Sequence, residues 1–479
     1  MIFDNEMVKL EELGVINPRS SSEIGKSSLS IGFECLDREL FDPEKCYTPL
    51  AATGIKHARC QTGWNRCERE KNHYDFKWLD EVVDNLLCRG IKPWFNVGYG
   101  NKLYMTECFG DAAVGWVPLY FGDETLQAWV NYIVQLTKHF NGRVDCYEIW
   151  NESNLDEFWY PKDASPEDYI ELTRISAEAI HSIQPNARIG VCVTNAVHEY
   201  SVQLIKKGVA KYIDFFCIHP YRVLPENDSD REIASLRRLL DETGGDKVAI
   251  WQGEVGYCSQ FPRPHFLQTW SRGSELQQAK WLLRRFVGDL AMNLEISSFF
   301  QMADMAPNKY HTSHANVVPG HHGLLNGDDY SPKKSYYAIR NLAALFDAET
   351  PGTALNSSLD IPQLLPKDQP VSKLALSALR IRTFCRRGYG IYAYYLAEDV
   401  QMDFKGWGGA SLMVADEVEH PIERPILIDP LSGKVYRIKT TQNRKFWWRW
   451  FNDLPLTDYP LVVTDLAAFE DRITIAPKP

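Results

Sequence analysis

Short apolar segments and amphipathic helices alternate eight times within the first 350 residues of this 479-residue chain. Such alternation is typical of β/α units, in which helices connect parallel strands. The run Ser165-Pro166-Glu167-Asp168 marks one helix start, with an N-cap serine and a proline at the first helical position, and Gly90 ends another helix. Eight such units can close on themselves, so we predict an α/β fold, a (β/α)8 TIM barrel over residues 29–347. The predicted strands lie at 29–35, 55–64, 91–100, the start of 144–160, 188–195, 213–222, 247–257 and 296–305.

The pattern changes near Pro351 to short strands separated by turn residues. This spacing is typical of an all-β domain. We therefore predict an N-terminal extension (1–28), the barrel (29–347) and a C-terminal β-sandwich-like domain (348–479). An aromatic cluster in the last part is interpreted as a seal against the barrel, with a sugar-stacking face as the alternative. The cluster comprises Phe446, Trp447, Trp448, Trp450 and Phe451.

Charge and hydropathy limit the possible partners. The formal net charge of -11 provides no basic field for a phosphate backbone, so we predict no nucleic-acid partner. No stretch approaches the length of a membrane span, and residues 1–25 hold no signal-peptide core, so we expect no membrane partner and a cytoplasmic location. The eleven cysteines include no Cys-x-x-Cys pair and are interpreted as free thiols. Oligomeric state stays open, with a homo-oligomer as one alternative.

Two glutamates lie where apolar strands of the predicted barrel end. Glu152 follows the fourth strand, and Glu254 ends the apolar run of the seventh. Strand ends and the loops after them form the active sites of such barrels, so both glutamates are predicted to be catalytic. Glycoside hydrolysis needs such a pair, one carboxyl to protonate the leaving oxygen and one to attack or stabilise the anomeric carbon. The alternative is that both only cap helices or form structural ion pairs.

Three further side chains at predicted strand ends could support the chemistry of these glutamates. Arg59 and Tyr221, at the ends of the second and sixth strands, are predicted to hold Glu254 ionised and oriented, because a positive charge or a hydrogen-bond donor favours a carboxylate. Asn151 is predicted to donate to the sugar hydroxyl next to the reacting carbon.

The segments IWNE (149–152) and EVGY (254–257) resemble those of the clan A retaining glycoside hydrolases, whose catalytic glutamates lie on the fourth and seventh strands. The segments WNESNLDEFW (150–159) and HGLLNGDDYSPKKSYYAIRNL (322–342) are similar to family 39, which contains β-xylosidases and α-L-iduronidases and carries a β-sandwich extension. The resemblance implies that Glu152 is the acid/base and Glu254 the nucleophile. It further implies sugar-site roles for Asn151, Arg59, His219 and Tyr221.

The end of the eighth strand departs from the clan pattern. Many clan members carry a tryptophan there as a stacking floor, whereas this chain has Phe299-Phe300-Gln301. Gln301 is included among the predicted substrate-binding residues. Sugar stacking is also predicted for three tryptophans in or near the strand-end loops, with loop packing as the alternative. They are Trp64, Trp116 and Trp159.

The long loop 306–330 is rich in histidine, and loops of this length are usually functional. It is predicted to form a lid or to contact sugar rather than to bind a metal, because the acid ligands and helical spacing of metal sites are missing. We expect no metal and no cofactor. The histidines are His311, His314, His321 and His322.

The expected function is therefore that of a retaining, β-xylosidase-like glycosidase acting on oligosaccharides or glycosides. The alternatives are a β-glucosidase, β-galactosidase, β-glucuronidase or endo-glycosidase of the same clan, and, from another class, a non-catalytic carbohydrate-binding barrel. Arg222, Lys102 and the histidine-rich loop would suit an acidic sugar, although long basic side chains on loops are more often simply solvated.

Overall fold

The computed structural model describes Val8 and residues 10–110, 112–227, 229–260, 273–305, 320–361, 377–400, 406–415, 417–438 and 448–476. The strands are β1 (Glu11–Ile16), β2 (Leu29–Gly32), β3 (His57–Gln61), β4 (Lys92–Val97), β5 (Cys146–Ile149), β6 (Arg188–Thr194), β7 (Phe215–His219), β8 (Ala249–Val255), β9 (Ile296–Phe299), β10 (Ser357–Asp360), β11 (Leu379–Arg386), β12 (Tyr389–Leu396), β13 (Trp407–Ala415), β14 (Pro425–Asp429), β15 (Lys434–Arg437), β16 (Trp448–Leu456), β17 (Leu461–Asp465) and β18 (Ile473–Ile475). The helices are α1 (Glu44–Ala51), α2 (Trp64–Cys67), α3 (Lys77–Leu87), α4 (Asp123–Phe140), α5 (Pro166–His181), α6 (Glu199–Lys206), α7 (Ser229–Glu242), α8 (Glu275–Ala291) and α9 (Lys334–Leu345).

Strands β2 to β9 form a closed parallel barrel in chain order, which confirms the predicted fold class. β2 pairs with β9, with Leu29 opposite Ser297, and this pairing closes the barrel. The predicted helix start is also observed, since the Ser165 side chain accepts a hydrogen bond from the Asp168 amide at 3.2 Å. Both faces of the strands are buried because helices cover the outside, so the strands read as apolar runs.

The C-terminal region contains two antiparallel sheets. The larger has the strand order β11-β12-β17-β14-β15-β1-β18, and the smaller has the order β10-β13-β16. β1 lies within the predicted N-terminal extension, residues 1–28, and pairs with β15 and β18. The start of the chain therefore completes the C-terminal sheet.

Helix α8 joins the barrel to these sheets. Its Lys280 forms an ion pair with Asp458 at 2.8 Å, and its Arg284 donates to the Glu398 carbonyl at 2.5 Å. Of the predicted aromatic seal, Phe446 and Trp447 lie outside the described residues and Phe451 is buried, so the seal stays a prediction. Within the described parts of the chain, no helix has the length and apolar character needed to cross a bilayer.

Candidate active site

The turn after β5 places Glu152 at the carboxyl end of the barrel. Trp150 and Glu152 both adopt left-handed backbone conformations, with φ of 66° and 42°. Such conformations are unfavourable for residues other than glycine and must be held by their surroundings. Asn96 donates to the Trp150 carbonyl at 2.7 Å, and the Trp150 indole donates to the Phe158 carbonyl at 2.6 Å. These two hydrogen bonds stabilise the turn, which directs the Glu152 side chain toward Glu254.

His219 lies between the two glutamates. Its Nδ1 is 2.9 Å from Glu152 Oε1 and 3.6 Å from Glu254 Oε2. A carboxyl oxygen of each glutamate and a ring nitrogen of His219 all lie within 4.8 Å of one another. The predicted catalytic residues are thus brought together, although they are separated by about a hundred residues in the sequence.

The buried guanidinium of Arg59 contacts four side chains. Its Nη1 donates to Glu34 Oε1 at 3.0 Å and to Glu254 Oε2 at 2.8 Å. Its Nη2 donates to Asn151 Oδ1 at 2.8 Å and to Glu148 Oε1. Arg59 is fully buried, so a single positive charge interacts with three carboxyls and one amide in a region shielded from water.

The surroundings shift the pKa values of the two glutamates in opposite directions. Burial raises the pKa of Glu152, and the charge of Glu254 adds to this effect. Burial also opposes ionisation of Glu254, but the positive charges of His219 and Arg59 outweigh it and lower the pKa of Glu254. Tyr221 contributes to the lowering by donating to Glu254 Oε1 at 2.8 Å. Glu152 is thus the member that retains a proton and Glu254 the member that ionises.

The two glutamates line a cavity of about 190 Å³. The residues lining it combine acidic, basic and aromatic side chains. They are Glu34, Cys35, Arg38, Leu40, Gln61, Tyr99, Asn151, Glu152, Phe158, Glu254, Phe300 and Met305.

The other predicted site residues divide into two groups. Asn151 lines the cavity, and Arg59, His219 and Tyr221 contact the glutamates directly. The three predicted tryptophans instead pack into the core, and the described cavity lining includes none of them. Trp64 stacks on Tyr104 and Tyr132, Trp116 stacks on Tyr160, and Trp159 packs against Trp150 and Tyr169.

The sequence reasoning missed several lining residues. Glu34 lies near the end of the predicted first strand, 29–35, so the rule that identified Glu152 and Glu254 would have found it. Phe300 lines the cavity at the end of the eighth strand, where the sequence lacks the expected tryptophan, while Gln301 beside it is fully buried. Tyr99 and Phe158 stack with ring centroids 5.9 Å apart, a contact between distant loops that leaves no local pattern.

Only part of the histidine-rich loop can be placed, because His311 and His314 lie outside the described residues. His322 lies with its Nε2 3.1 Å from Cys258 Sγ, and its ring centroid is 5.6 Å from that of Phe300. Burial lowers the pKa of His322 to about 4, so its imidazole is neutral at neutral pH. His321 approaches Asp304 at 3.3 Å.

Two groups of described side chains have donor atoms suited to a metal ion. One is Glu152, His219 and Glu254, and the other is Glu148, Cys192, Cys217 and His219. In the second group Glu148 already accepts hydrogen bonds from Arg59 and Asn96, and Cys192 Sγ lies 3.2 Å from His219 Nε2. Glu148 Oε1, Cys192 and His219 thus already have partners, and the absence of a metal stays a prediction.

Residues 51–236 match the family described as Glycosyl hydrolases family 39. Two curated relatives are β-xylosidases. That of Geobacillus stearothermophilus is 30% identical over 128 residues, which cover 25% of this chain and 24% of the relative. That of Caldicellulosiruptor saccharolyticus is 28% identical over 297 residues, which cover 57% of each. The chain thus matches a quarter to little more than half of the length of these relatives.

Solved structures with the same fold include a family 39 glycoside hydrolase from Bacteroides cellulosilyticus WH2, with a TM-score of 0.61 and 16% identity, covering 91% of this chain and 80% of that chain. A GH30 endoxylanase from Clostridium papyrosolvens C71 has a TM-score of 0.57 and 10% identity, with coverage of 94% and 97%. At these identities the likeness shows the shared fold alone. Sequence and fold agree, and the chain resembles the TIM-barrel glycoside hydrolases of clan A, family 39 in particular.

Proposed function

We propose that this protein is a retaining glycoside hydrolase of the β-xylosidase kind. One observation carries the proposal: two carboxyls whose pKa values are shifted in opposite directions line the same small cavity. A double displacement needs this difference, because the nucleophile must be ionised while the acid still holds its proton.

In the first step the Glu254 carboxylate attacks the anomeric carbon. The bond to the leaving oxygen breaks, and that oxygen takes the proton of Glu152, which leaves a glycosyl ester on Glu254. In the second step Glu152 removes a proton from water, the water oxygen attacks the same carbon, and Glu254 departs as a carboxylate. Both residues return to their starting states.

The structure suggests why Glu152 changes from acid to base between the steps. The negative charge of Glu254 is among the causes that raise the pKa of Glu152. The glycosyl ester has no charge, so this contribution disappears when the intermediate forms. The pKa of Glu152 then falls, and the carboxylate becomes available to accept a proton from water.

The spacing of the carboxyls favours retention over inversion. Their nearest oxygens lie within 4.8 Å. Carboxyls in retaining enzymes stand roughly 5–5.5 Å apart, whereas inverting enzymes keep roughly 6.5–9.5 Å to admit a water molecule.

The cavity supports a substrate with a single small sugar ring beyond the cleaved bond. Its volume of about 190 Å³ is below the roughly 300–1,000 Å³ of pockets for drug-sized ligands. Tyr99, Phe158 and Phe300 supply aromatic surface on which a sugar face can pack. The β-xylosidase relatives suggest xylose as the first sugar to test. An acidic sugar is less well supported, since Arg222 pairs with Glu232 and Arg38 with Asp37.

The test is hydrolysis of 4-nitrophenyl glycosides, including the β-D-xyloside, by the wild type and by Glu254→Gly with and without azide. We expect turnover by the wild type, loss in the variant, and recovery with azide as the glycosyl azide of opposite anomeric configuration. The matched control is Glu419→Gly, because this glutamate lies in the C-terminal region and its side chain is 74% exposed. Sugar binding without turnover of any glycoside would instead support the non-catalytic carbohydrate-binding barrel.

A further inference from the structure

A third carboxyl, that of Glu34, lines the cavity and has no part in the double displacement. Glu34 follows β2 by two residues and is 1% exposed. Its Oε1 accepts from Arg59 Nη1 at 3.0 Å, and the same nitrogen donates to Glu254 at 2.8 Å. Glu34 therefore shares its only described cationic partner, Arg59, with Glu254 and Glu148.

The second oxygen of this carboxyl, Oε2, accepts no hydrogen bond from any described residue. Burial raises the pKa of Glu34 to about 8, with Arg59 opposing the shift and Glu254 adding to it. At neutral pH the carboxyl is thus mainly protonated and has both a donor and an acceptor to offer. A buried polar group without a partner destabilises the protein, so a ligand that supplies the partner gains in affinity.

Gln301 gives an independent sign of a ligand at the same place. This side chain is fully buried, and neither its Nε2 nor its Oε1 has a hydrogen-bond partner among the described residues. A Cβ at Gly32 would lie 2.0 Å from Glu34 Oε2 and 3.1 Å from Gln301 Cβ, so both side chains approach this glycine of β2. Two side chains with unsatisfied polar atoms, Glu34 and Gln301, thus lie close to the same glycine of β2.

We propose that Glu34 is a specificity-determining residue that exchanges hydrogen bonds with a hydroxyl group of the sugar ring and so selects a neutral glycone over an acidic one. The proposal rests on the proposed function, because it places the sugar beside Glu254. Arg59 holds Asn151 with Nη2 and Glu34 with Nη1, so the two side chains are expected to meet different hydroxyls. Asn151 is assigned to the hydroxyl at carbon 2, which leaves those at carbons 3 and 4 for Glu34.

Charge accounts for the selection. Glu254 is the ionised carboxyl of the cavity, whereas Glu34 and Glu152 hold protons, so a uronate would add a second negative charge to this shielded space. Like charges brought together there disfavour binding, or force further protonation. A hydroxyl meets no such penalty and satisfies the free oxygen of Glu34.

The test measures kcat/KM for wild type, Glu34→Ala and Glu34→Gln on 4-nitrophenyl β-D-xyloside and on its 3-deoxy and 4-deoxy analogues. On the parent glycoside we expect Glu34→Ala to lose roughly 10- to 100-fold, because a buried hydrogen bond is removed. Glu34→Gln should retain most of the activity, since an amide also donates and accepts. On the analogue that lacks the contacted hydroxyl, wild type and Glu34→Ala should be equal.

A loss in Glu34→Ala that is the same on all three substrates would overturn the proposal, because Glu34 would then act only through Arg59. A faster reaction of wild type with the β-D-glucuronide than with neutral glycosides would also overturn it. The control Glu39→Gln changes the same kind of side chain in the same loop, where the side chain is 46% exposed and pairs with Arg66. It should leave kcat/KM unchanged.

Failure of the proposed function would be visible separately, as no turnover of any glycoside by wild type. Titration calorimetry with D-xylose and its 3-deoxy and 4-deoxy forms then tests Glu34 without catalysis. We expect D-xylose to bind more weakly to Glu34→Ala than to wild type. For the deoxy form that lacks the contacted hydroxyl, the two proteins should have equal affinities. Equal affinities of wild type and Glu34→Ala for D-xylose would refute the contact.

Discussion

Buried charges occur both at the mouth of the barrel and at its junction with the C-terminal sheets, but the two regions balance them differently. Helix α8 at the junction carries two buried cations that each pair with one acid: Lys280 pairs with Asp458 at 2.8 Å, and Arg284 pairs with Glu226 at 2.6 Å. At the mouth, Arg59 is shared by Glu34, Glu148 and Glu254.

The consequence appears in the pKa values. Burial opposes ionisation of Glu226, yet Arg284 outweighs it and lowers the pKa of Glu226. Burial also opposes ionisation of Glu34, but the shared Arg59 cannot outweigh it, and the pKa rises to about 8. A cation matched to one acid makes a structural ion pair. A cation shared among several acids leaves protons on some of them, and such protons are what an acid catalyst needs.

The largest effect is expected from removing the two cations in turn. Arg59→Met should reduce kcat/KM on the order of 10³-fold, because Glu254 loses its ionising partner. Both Arg59→Met and Arg284→Met should cost roughly 3–5 kcal/mol in the free energy of unfolding, since each leaves buried carboxyls unpaired. Urea unfolding and kcat/KM per folded molecule measure the two quantities.

Arg284→Met should keep kcat/KM within a few-fold of wild type. An equal loss of kcat/KM in Arg59→Met and Arg284→Met would contradict the distinction between the two regions, because the ion pair at the junction would then matter for catalysis as much as Arg59 does.

The second prediction concerns Glu152, the protonated acid at the mouth of the barrel. Glu152→Gln should lower kcat by about 10²- to 10³-fold for a poor leaving group, because general acid catalysis is lost. In wild type, activity should fall as pH drops through the lowered pKa of Glu254 and also as pH rises through the raised pKa of Glu152. The variant should lose the alkaline decline and keep the acid one. An unchanged alkaline decline would assign it to another group.

A smaller effect is expected from Tyr221→Phe, which removes one donor to Glu254 and leaves Arg59 in place. A hydrogen bond to a charged group contributes roughly 1.5–3 kcal/mol, so kcat/KM should fall by roughly 10- to 100-fold. The acid decline of the pH profile should move to higher pH, because the carboxylate is less stabilised. A profile that keeps its position would show that Arg59 and His219 alone set the ionisation of Glu254.

The smallest expected effect is on stability as a function of pH. Glu34 has a folded-state pKa of about 8, above its ordinary value of 4.5, so its contribution is complete below 4.5 and lost as pH rises through 8. Glu226 has the opposite shift, so its contribution is present at neutral pH and lost as pH falls. Glu34→Gln should therefore flatten the decline of stability toward pH 8, and Glu226→Gln the decline toward acid. Melting temperatures across this range decide both, and parallel curves for the two variants would contradict the comparison.

Some elements could be read from the sequence because their signals are local. The eight barrel strands are apolar runs with covered faces, and the start of α5 is set by Ser165 and its neighbours. The sequence predicts short C-terminal strands, but β13 and β16 are hard to recognise: β13 begins with Trp407-Gly408-Gly409, which favours a turn, and the start of β16 belongs to the segment interpreted as an aromatic seal. β1 was missed because it is a short, partly exposed segment that gains its partners, β15 and β18, from the other end of the chain.

Periodicity and strand ends are properties of neighbouring residues, so the barrel, the order of its strands and the strand-end positions of Glu152 and Glu254 can be predicted without coordinates. The folded barrel was needed to see which carboxyls share Arg59, that Glu34 is one of them, and that the indoles of Trp64, Trp116 and Trp159 pack in the core. The physical reason is that a pKa depends on burial and on the count of charges within a few ångströms. Here those charges come from β2, β3, β5, β7 and β8, which only the closure of the barrel brings together.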